Sequence, residues 1–127
     1  MRCNSKIRGF SELKLSDSCD QNEIKVVRTA RYYVIGDPKN EIETYWFTCH
    51  GYGQLAESFV NRFGVLEGQK QMVIAPEGLS RFYVSGFYGK VGAAWMTKED
   101  RLNEIDDYVN YLDSLYEKAI KDRKSVV

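Results

Sequence analysis

Residues 42–76 read IETYWFTCHGYGQLAESFVNRFGVLEGQKQMVIAP, and this stretch decides the fold. Ile42 to Thr48 opens it, with Tyr45, Trp46 and Phe47 continuous and bulky, the pattern of a strand buried on both faces. Leu55, Phe59 and Phe63 then fall at every fourth position, with Ala56 and Val60 beside them, which predicts a helix with one apolar stripe. Gly64 or Gly68 is placed to stop it. Met72-Val73-Ile74-Ala75 is a short apolar strand ended by Pro76. Strand, helix and strand at this spacing predict a βαβ crossover, hence a parallel pair with a right-handed connection and an α/β fold class.

Toward the N-terminus, Ile24, Val26, Arg28, Ala30, Tyr32 and Val34 alternate with Val27, Arg31, Tyr33 and Ile35. Length and β-branching predict a strand of roughly ten residues. Gly36-Asp37-Pro38-Lys39-Asn40 is a turn, and so short a connection predicts an antiparallel hairpin leading into the parallel sheet. Residues 1–21 hold no sustained period and read as an N-terminal arm or irregular segment, with Phe10, Leu13 and Leu15 offering one short strand or turn.

Toward the C-terminus, residues 76–96 read mostly as loop, Gly78, Gly86, Gly89 and Gly92 alternating with Phe82, Tyr83, Phe87, Tyr88 and Trp95. A loop of about twenty residues is long enough to suggest a lid or pocket wall, beside the plainer reading of a surface loop pinned by aromatics. A helix follows from about Lys98 to Asp122, with Thr97 as N-cap and Asp100 reaching back toward it. Its expected core stripe is Leu102, Ile105, Val109, Leu112, Tyr116 and Ala119. Ser125-Val126-Val127 resembles the start of a further parallel strand, so residues 22–127 are expected to be an incomplete, truncated N-terminal half of a larger domain.

Composition narrows the function classes. The 127 residues carry 18 basic and 18 acidic side chains, so nothing points to nucleic acid or an anionic membrane as partner. No apolar run approaches the roughly 20 residues of a membrane span. Three cysteines, Cys3, Cys19 and Cys49, form no metal pattern and no obvious disulfide framework, which suggests a reducing, cytoplasmic setting.

His50 is the only histidine, and it stands before Gly51-Tyr52-Gly53 at the end of a strand. Glycines on both sides of one residue let the backbone turn tightly and point N–H groups into a cleft, where they can stabilise an oxyanion. His50 reads as a structural tether for this turn rather than as a base. A generic strand-end turn has the same composition. No Gly-x-Ser-x-Gly elbow, phosphate loop or dinucleotide fingerprint occurs, and no cofactor or metal is expected. Cys49 beside His50 makes a poor nucleophile–base pair, because adjacent residues of a strand face opposite ways. Glu77, just past the carboxyl end of the second parallel strand, is placed where ligands of open α/β sheets bind, or else caps a nearby amide.

Phe47-Thr48-Cys49-His50-Gly51-Tyr52-Gly53 resembles the strand and oxyanion loop of α/β-hydrolases of the phospholipase/carboxylesterase type, the predicted serine esterases. The resemblance continues through Val73-Ile74-Ala75-Pro76-Glu77-Gly78 and residues 89–101, and covers about residues 24–127. It implies the N-terminal part of an α/β-hydrolase fold, a mostly parallel sheet with helices on both faces. It implies that the Tyr52 backbone N–H is one oxyanion-hole donor, between Gly51 and Gly53, and that His50 is structural. Glu77 and Trp95 are the weaker candidates for substrate contact. The complete relative would hydrolyse small-molecule carboxylic esters or thioesters through an acyl-serine. Serine, acid and base histidine are missing here, so this chain alone is expected to be inactive. Two alternatives stand beside that reading: a half-domain that completes its sheet by homo-oligomerisation or partner binding, and a small-molecule binding module built on the aromatic loop 82–95.

Overall fold

The computed structural model describes residues 19–121. The expected strand or turn at Phe10, Leu13 and Leu15 and the expected strand start at Ser125 therefore lie outside the described residues. The observed strands are β1 (Tyr32–Ile35), β2 (Thr44–Phe47), β3 (Gln71–Pro76), β4 (Ser80–Tyr83) and β5 (Val91–Ala94). The helices are α1 (Ala56–Val60), extended by a tighter 3-10 segment (Asn61–Leu66), and α2 (Arg101–Tyr116), whose last turn widens over Glu117–Lys121.

β3 is the centre of a three-stranded sheet in the order β1-β3-β2. β2 runs parallel to β3, Trp46 opposite Val73, joined through α1 as the βαβ spacing predicts. β1 runs antiparallel to β3, Tyr33 opposite Ala75. The expected β1–β2 hairpin does not form, because β3 inserts between the two strands. β1 is also shorter than expected. Its partner offers only six residues, and the chain before it turns to α2 instead, where Lys25 meets Asp107 at 3.5 Å and Glu23 accepts from Asn103 at 2.7 Å.

The side-chain alternation of β3 builds a three-layer arrangement. Val73 and Ala75 pack under Ala56 and Val60 of α1, with Tyr33, Ile35, Phe63 and Leu66 around them. Met72 and Ile74 meet Leu115 and Ile120 on the other face, with Tyr32, Ile42, Tyr45 and Tyr111. A mixed sheet with helices on both faces is an α/β architecture. β2 is less buried than its sequence suggests: as an outer strand it leaves Trp46 and Phe47 exposed.

Residues 76–96 lie mostly outside regular structure, as expected, but β4 and β5 within them form an antiparallel hairpin that the sequence pattern did not predict, with Phe82 opposite Gly92. Two further expectations are corrected. The inner face of α2 is Tyr108, Tyr111 and Leu115, followed by Ile120, whereas Leu102, Ile105, Val109 and Tyr116 of the expected stripe are exposed. Nor does Thr97 cap this helix. Asp100 holds the cap position, its carboxylate accepting from the Asn103 side chain at 3.0 Å rather than from a helix amide, and the Glu104 carboxylate reaches back to accept the Thr97 N–H at 2.7 Å.

Candidate functional site

The loops that leave the carboxyl ends of β2 and β3 are tied together by one ring. His50 is buried, and its Nε2 accepts the Gly78 N–H at 2.9 Å. An accepting Nε2 puts the ring proton on Nδ1, which donates to the Gly51 carbonyl at 2.8 Å. The Trp95 indole N–H donates to the His50 carbonyl at 2.8 Å, and the two rings lie 5.1 Å apart. Tyr108 closes the stack, edge-on to Trp95 at 5.1 Å and donating to the Ala94 carbonyl at 3.2 Å. Both ring nitrogens of His50 are thus occupied, and its imidazole is a fastener rather than a free base. His50→Phe is expected to strand the Gly78 N–H and cost about 1–3 kcal/mol. A urea midpoint within error of the wild type would show that this bond holds nothing.

The glycine turn spends its amides unevenly. Gly51 N–H donates to the Gln54 side-chain oxygen at 2.6 Å, Gly53 N–H to the Ala93 carbonyl at 2.9 Å, and Gln54 N–H to the Gly51 carbonyl at 3.2 Å. Tyr52 is the one residue of 51–54 whose N–H has no acceptor among the described residues. Gly53 adopts φ +78°, a conformation that glycine takes without a steric penalty. The turn rests on the hairpin. Ala93 N–H returns a bond to the Gln54 carbonyl at 3.0 Å, and the Tyr52 ring lies 5.1 Å from Phe82.

Glu77 is buried at the carboxyl end of β3. Its side chain is 1% exposed and enclosed by donors. Oε2 accepts from Arg81 Nε at 2.8 Å and from Arg31 Nη2 and Nε at 3.1 and 3.3 Å, while Oε1 accepts the Ala56 N–H at 3.3 Å. Its backbone joins the same brace: Glu77 N–H donates to the Arg31 carbonyl at 2.9 Å, and the Glu77 carbonyl accepts from the Tyr111 hydroxyl at 3.1 Å. Burial alone would push the carboxyl up. The hydrogen bonds from Arg81, Arg31 and the Ala56 amide outweigh it and hold the group below the usual carboxylate range. Burial pushes the Tyr111 hydroxyl up to about 12, against the bond to the Glu77 carbonyl. Capping of a nearby amide was one sequence expectation for Glu77, and the Ala56 contact matches it; the two arginines carried no local signal, because Arg31, Ala56 and Arg81 come from three separate segments of the chain. Trp95 likewise positions His50 through its indole rather than standing open.

Cys49 is an exposed free thiol that desolvation by its neighbours nevertheless pushes up, away from thiolate character. Cys19 is disulfide-bonded, contrary to the expectation that no disulfide framework is present. Among the described residues no group of three His, Cys, Asp or Glu is placed to hold a metal, and no helix is long and apolar enough to cross a membrane. A concavity of about 250 Å³ lies at the opposite end of the sheet, lined by Gly36, Asp37, Ile42, Lys70 and Gln71. No known protein-family model matches the chain, and no curated protein matches it significantly.

Proposed function

We propose that this chain is the oxyanion-stabilising half of a serine hydrolase of the α/β-hydrolase type, acting on small-molecule carboxylic esters or thioesters. The observation that carries the reading is the Tyr52 N–H, the one amide of the glycine turn without an internal acceptor, at the carboxyl end of a parallel pair. Donors held rigid before the reaction stabilise the charge that develops on a carbonyl oxygen, because no reorganisation is needed when it appears. His50, Gly78 and Trp95 supply that rigidity. The acyl-serine chemistry would require a serine, an acid and a base histidine supplied by the rest of such a domain. The sequence has no Gly-x-Ser-x-Gly elbow, and its single histidine is already engaged at both ring nitrogens. The chain alone is therefore expected to hydrolyse a short-chain aryl ester at the background rate only. A rate abolished by a serine-directed phosphonate would overturn that expectation.

A second reading, a half-domain that associates through its sheet, is favoured by the exposed Trp46 and Phe47 on the outer strand β2 and by the apolar outer stripe of α2. Light scattering after size exclusion should then show a dimer or larger species. A stable monomer at micromolar concentration would eliminate the homo-oligomeric form.

A further inference from the structure

We infer that Gln54 is the positioning residue of the oxyanion donor, clamping Gly51 so that the Tyr52 N–H keeps one direction; the inference rests on the oxyanion reading of Tyr52. A donor attached to a glycine swings unless the peptide planes on both sides of that glycine are held. The plane before Gly51 is held at both ends. The His50 carbonyl accepts the Trp95 indole N–H at 2.8 Å, and the Gly51 N–H donates to Gln54 Oε1 at 2.6 Å. The plane after it is held through the Gly51 carbonyl, which accepts from His50 Nδ1 at 2.8 Å and from the Gln54 N–H at 3.2 Å. In a trans peptide the N–H points opposite to the C=O, so those two bonds set the direction of the Tyr52 N–H. Of the polar ends of the two planes, that N–H is the one with no partner among the described residues.

Gln54 grips both planes, its side chain the first and its backbone the second. It is itself anchored, since its carbonyl accepts the Ala93 N–H at 3.0 Å on the β4–β5 hairpin. Its own N–H closes a β-turn over Tyr52 and Gly53, and the φ of +78° at Gly53 marks the glycine position of a type II turn. Gly51 does not take a positive φ, so its torsions alone do not call for glycine. The clamp does: a Cβ on Gly51 would lie 3.1 Å from Gln54 Oε1, closer than such contacts normally come. A carboxamide also suits the place electrically. Its oxygen, fixed toward Gly51 by the N–H it accepts, is a neutral acceptor, whereas a carboxylate would set a full negative charge beside the one the turn is to stabilise. The donors on the Gly51 carbonyl further polarise the same peptide and strengthen its N–H as a donor.

The test is NMR on the full chain. Residual dipolar couplings in a weakly aligned sample report the direction of the Tyr52 N–H, and acetate added at constant ionic strength stands in for the oxyanion. On the wild type, acetate should shift the Tyr52 amide and leave the Gly51 and Gly53 amides, which are already bonded, nearly still. Gln54→Met keeps the length and loses the acceptor. Its Tyr52 coupling should shrink while those of residues 71–75 stay at wild-type values. Its acetate shift per unit concentration should fall at least about threefold, as for a donor correctly aimed about a third of the time or less. Gln54→Glu restores the acceptor and adds a charge. It should return the Tyr52 coupling to the wild-type value yet leave acetate weakened, a split that a merely stabilising contact would not give. Wild-type coupling and acetate response in Gln54→Met, or a Tyr52 coupling lost in Gln54→Glu, would overturn the positioning role and leave the oxyanion reading standing. No acetate shift at Tyr52 on the wild type would overturn the oxyanion reading, and with it the catalytic purpose of the clamp.

Discussion

Glu77→Ala is expected to lower the unfolding free energy by about 2–4 kcal/mol, the largest effect of any single side-chain truncation at the brace. The buried carboxylate satisfies two guanidinium groups and the first amide of α1 at once, and alanine leaves all of them without an acceptor. The upper end of the range for broken buried pairs is not reached, because Arg31 and Arg81 are 49% and 39% exposed and water takes over part of their solvation. Urea unfolding with an unchanged m-value measures it. A loss below about 0.5 kcal/mol, the range of ordinary surface substitutions, would refute the role of Glu77 as a brace. The pH dependence has a definite sign. The folded carboxyl sits below its ordinary value, so its contribution is complete above the unfolded value of about 4.3 and disappears as the pH falls through the lower folded value. Wild-type stability should decline across that acid window, and Glu77→Gln should flatten the decline.

Gly92→Ala should cost a comparable amount, about 2–4 kcal/mol, by a different route. The added methyl would meet the Gly53 carbonyl oxygen, its carbon at 2.6 Å and its Cα at 2.8 Å. All three are backbone atoms, so no side-chain rotation relieves the overlap. The glycine turn must lift from the hairpin, losing the paired bonds between Ala93 and residues 53 and 54. Hydrogen exchange at the Gly53 amide should accelerate as the turn opens. Gly64→Ala is the control, since a Cβ there meets nothing within 4 Å, and its effect should stay within about 0.5 kcal/mol. If both variants match the wild type in stability and exchange, the hairpin does not support the turn.

The parts legible in the sequence were those with local periodicity. The apolar run Met72 to Ala75, the helix after the glycine turn and the parallel β2–β3 pair follow from spacing alone. The inner face of α2 did not, because hydrophobicity favoured Leu102 and Val109 over Tyr108 and Tyr111. The two tyrosines bury their rings by giving their hydroxyls backbone carbonyls to donate to, a match that only the tertiary structure reveals. The β1–β2 hairpin failed for a related reason. A short connection makes pairing feasible, but a more apolar strand later in the chain occupied the central place. At the site, His50 and its glycines stood out by type and order. Gly78, Trp95 and Gly92, which fasten them, are separated from them by more than two dozen residues and carry no local signature.

The strand order β1-β3-β2 also sets a timetable for folding. No two strands of the main sheet that pair are joined by a tight turn, and Tyr32 waits for Pro76 before its ladder can close. Loop-closure entropy makes such pairings late and slow, whereas β4 and β5 can zip locally within microseconds. The hairpin is thus positioned to form first, and the glycine turn can settle on it only after the central sheet has brought the turn into reach. On the ribosome, β1 would emerge and remain unpaired until β3 had been synthesised, which makes that interval the one in which its apolar residues most need a chaperone.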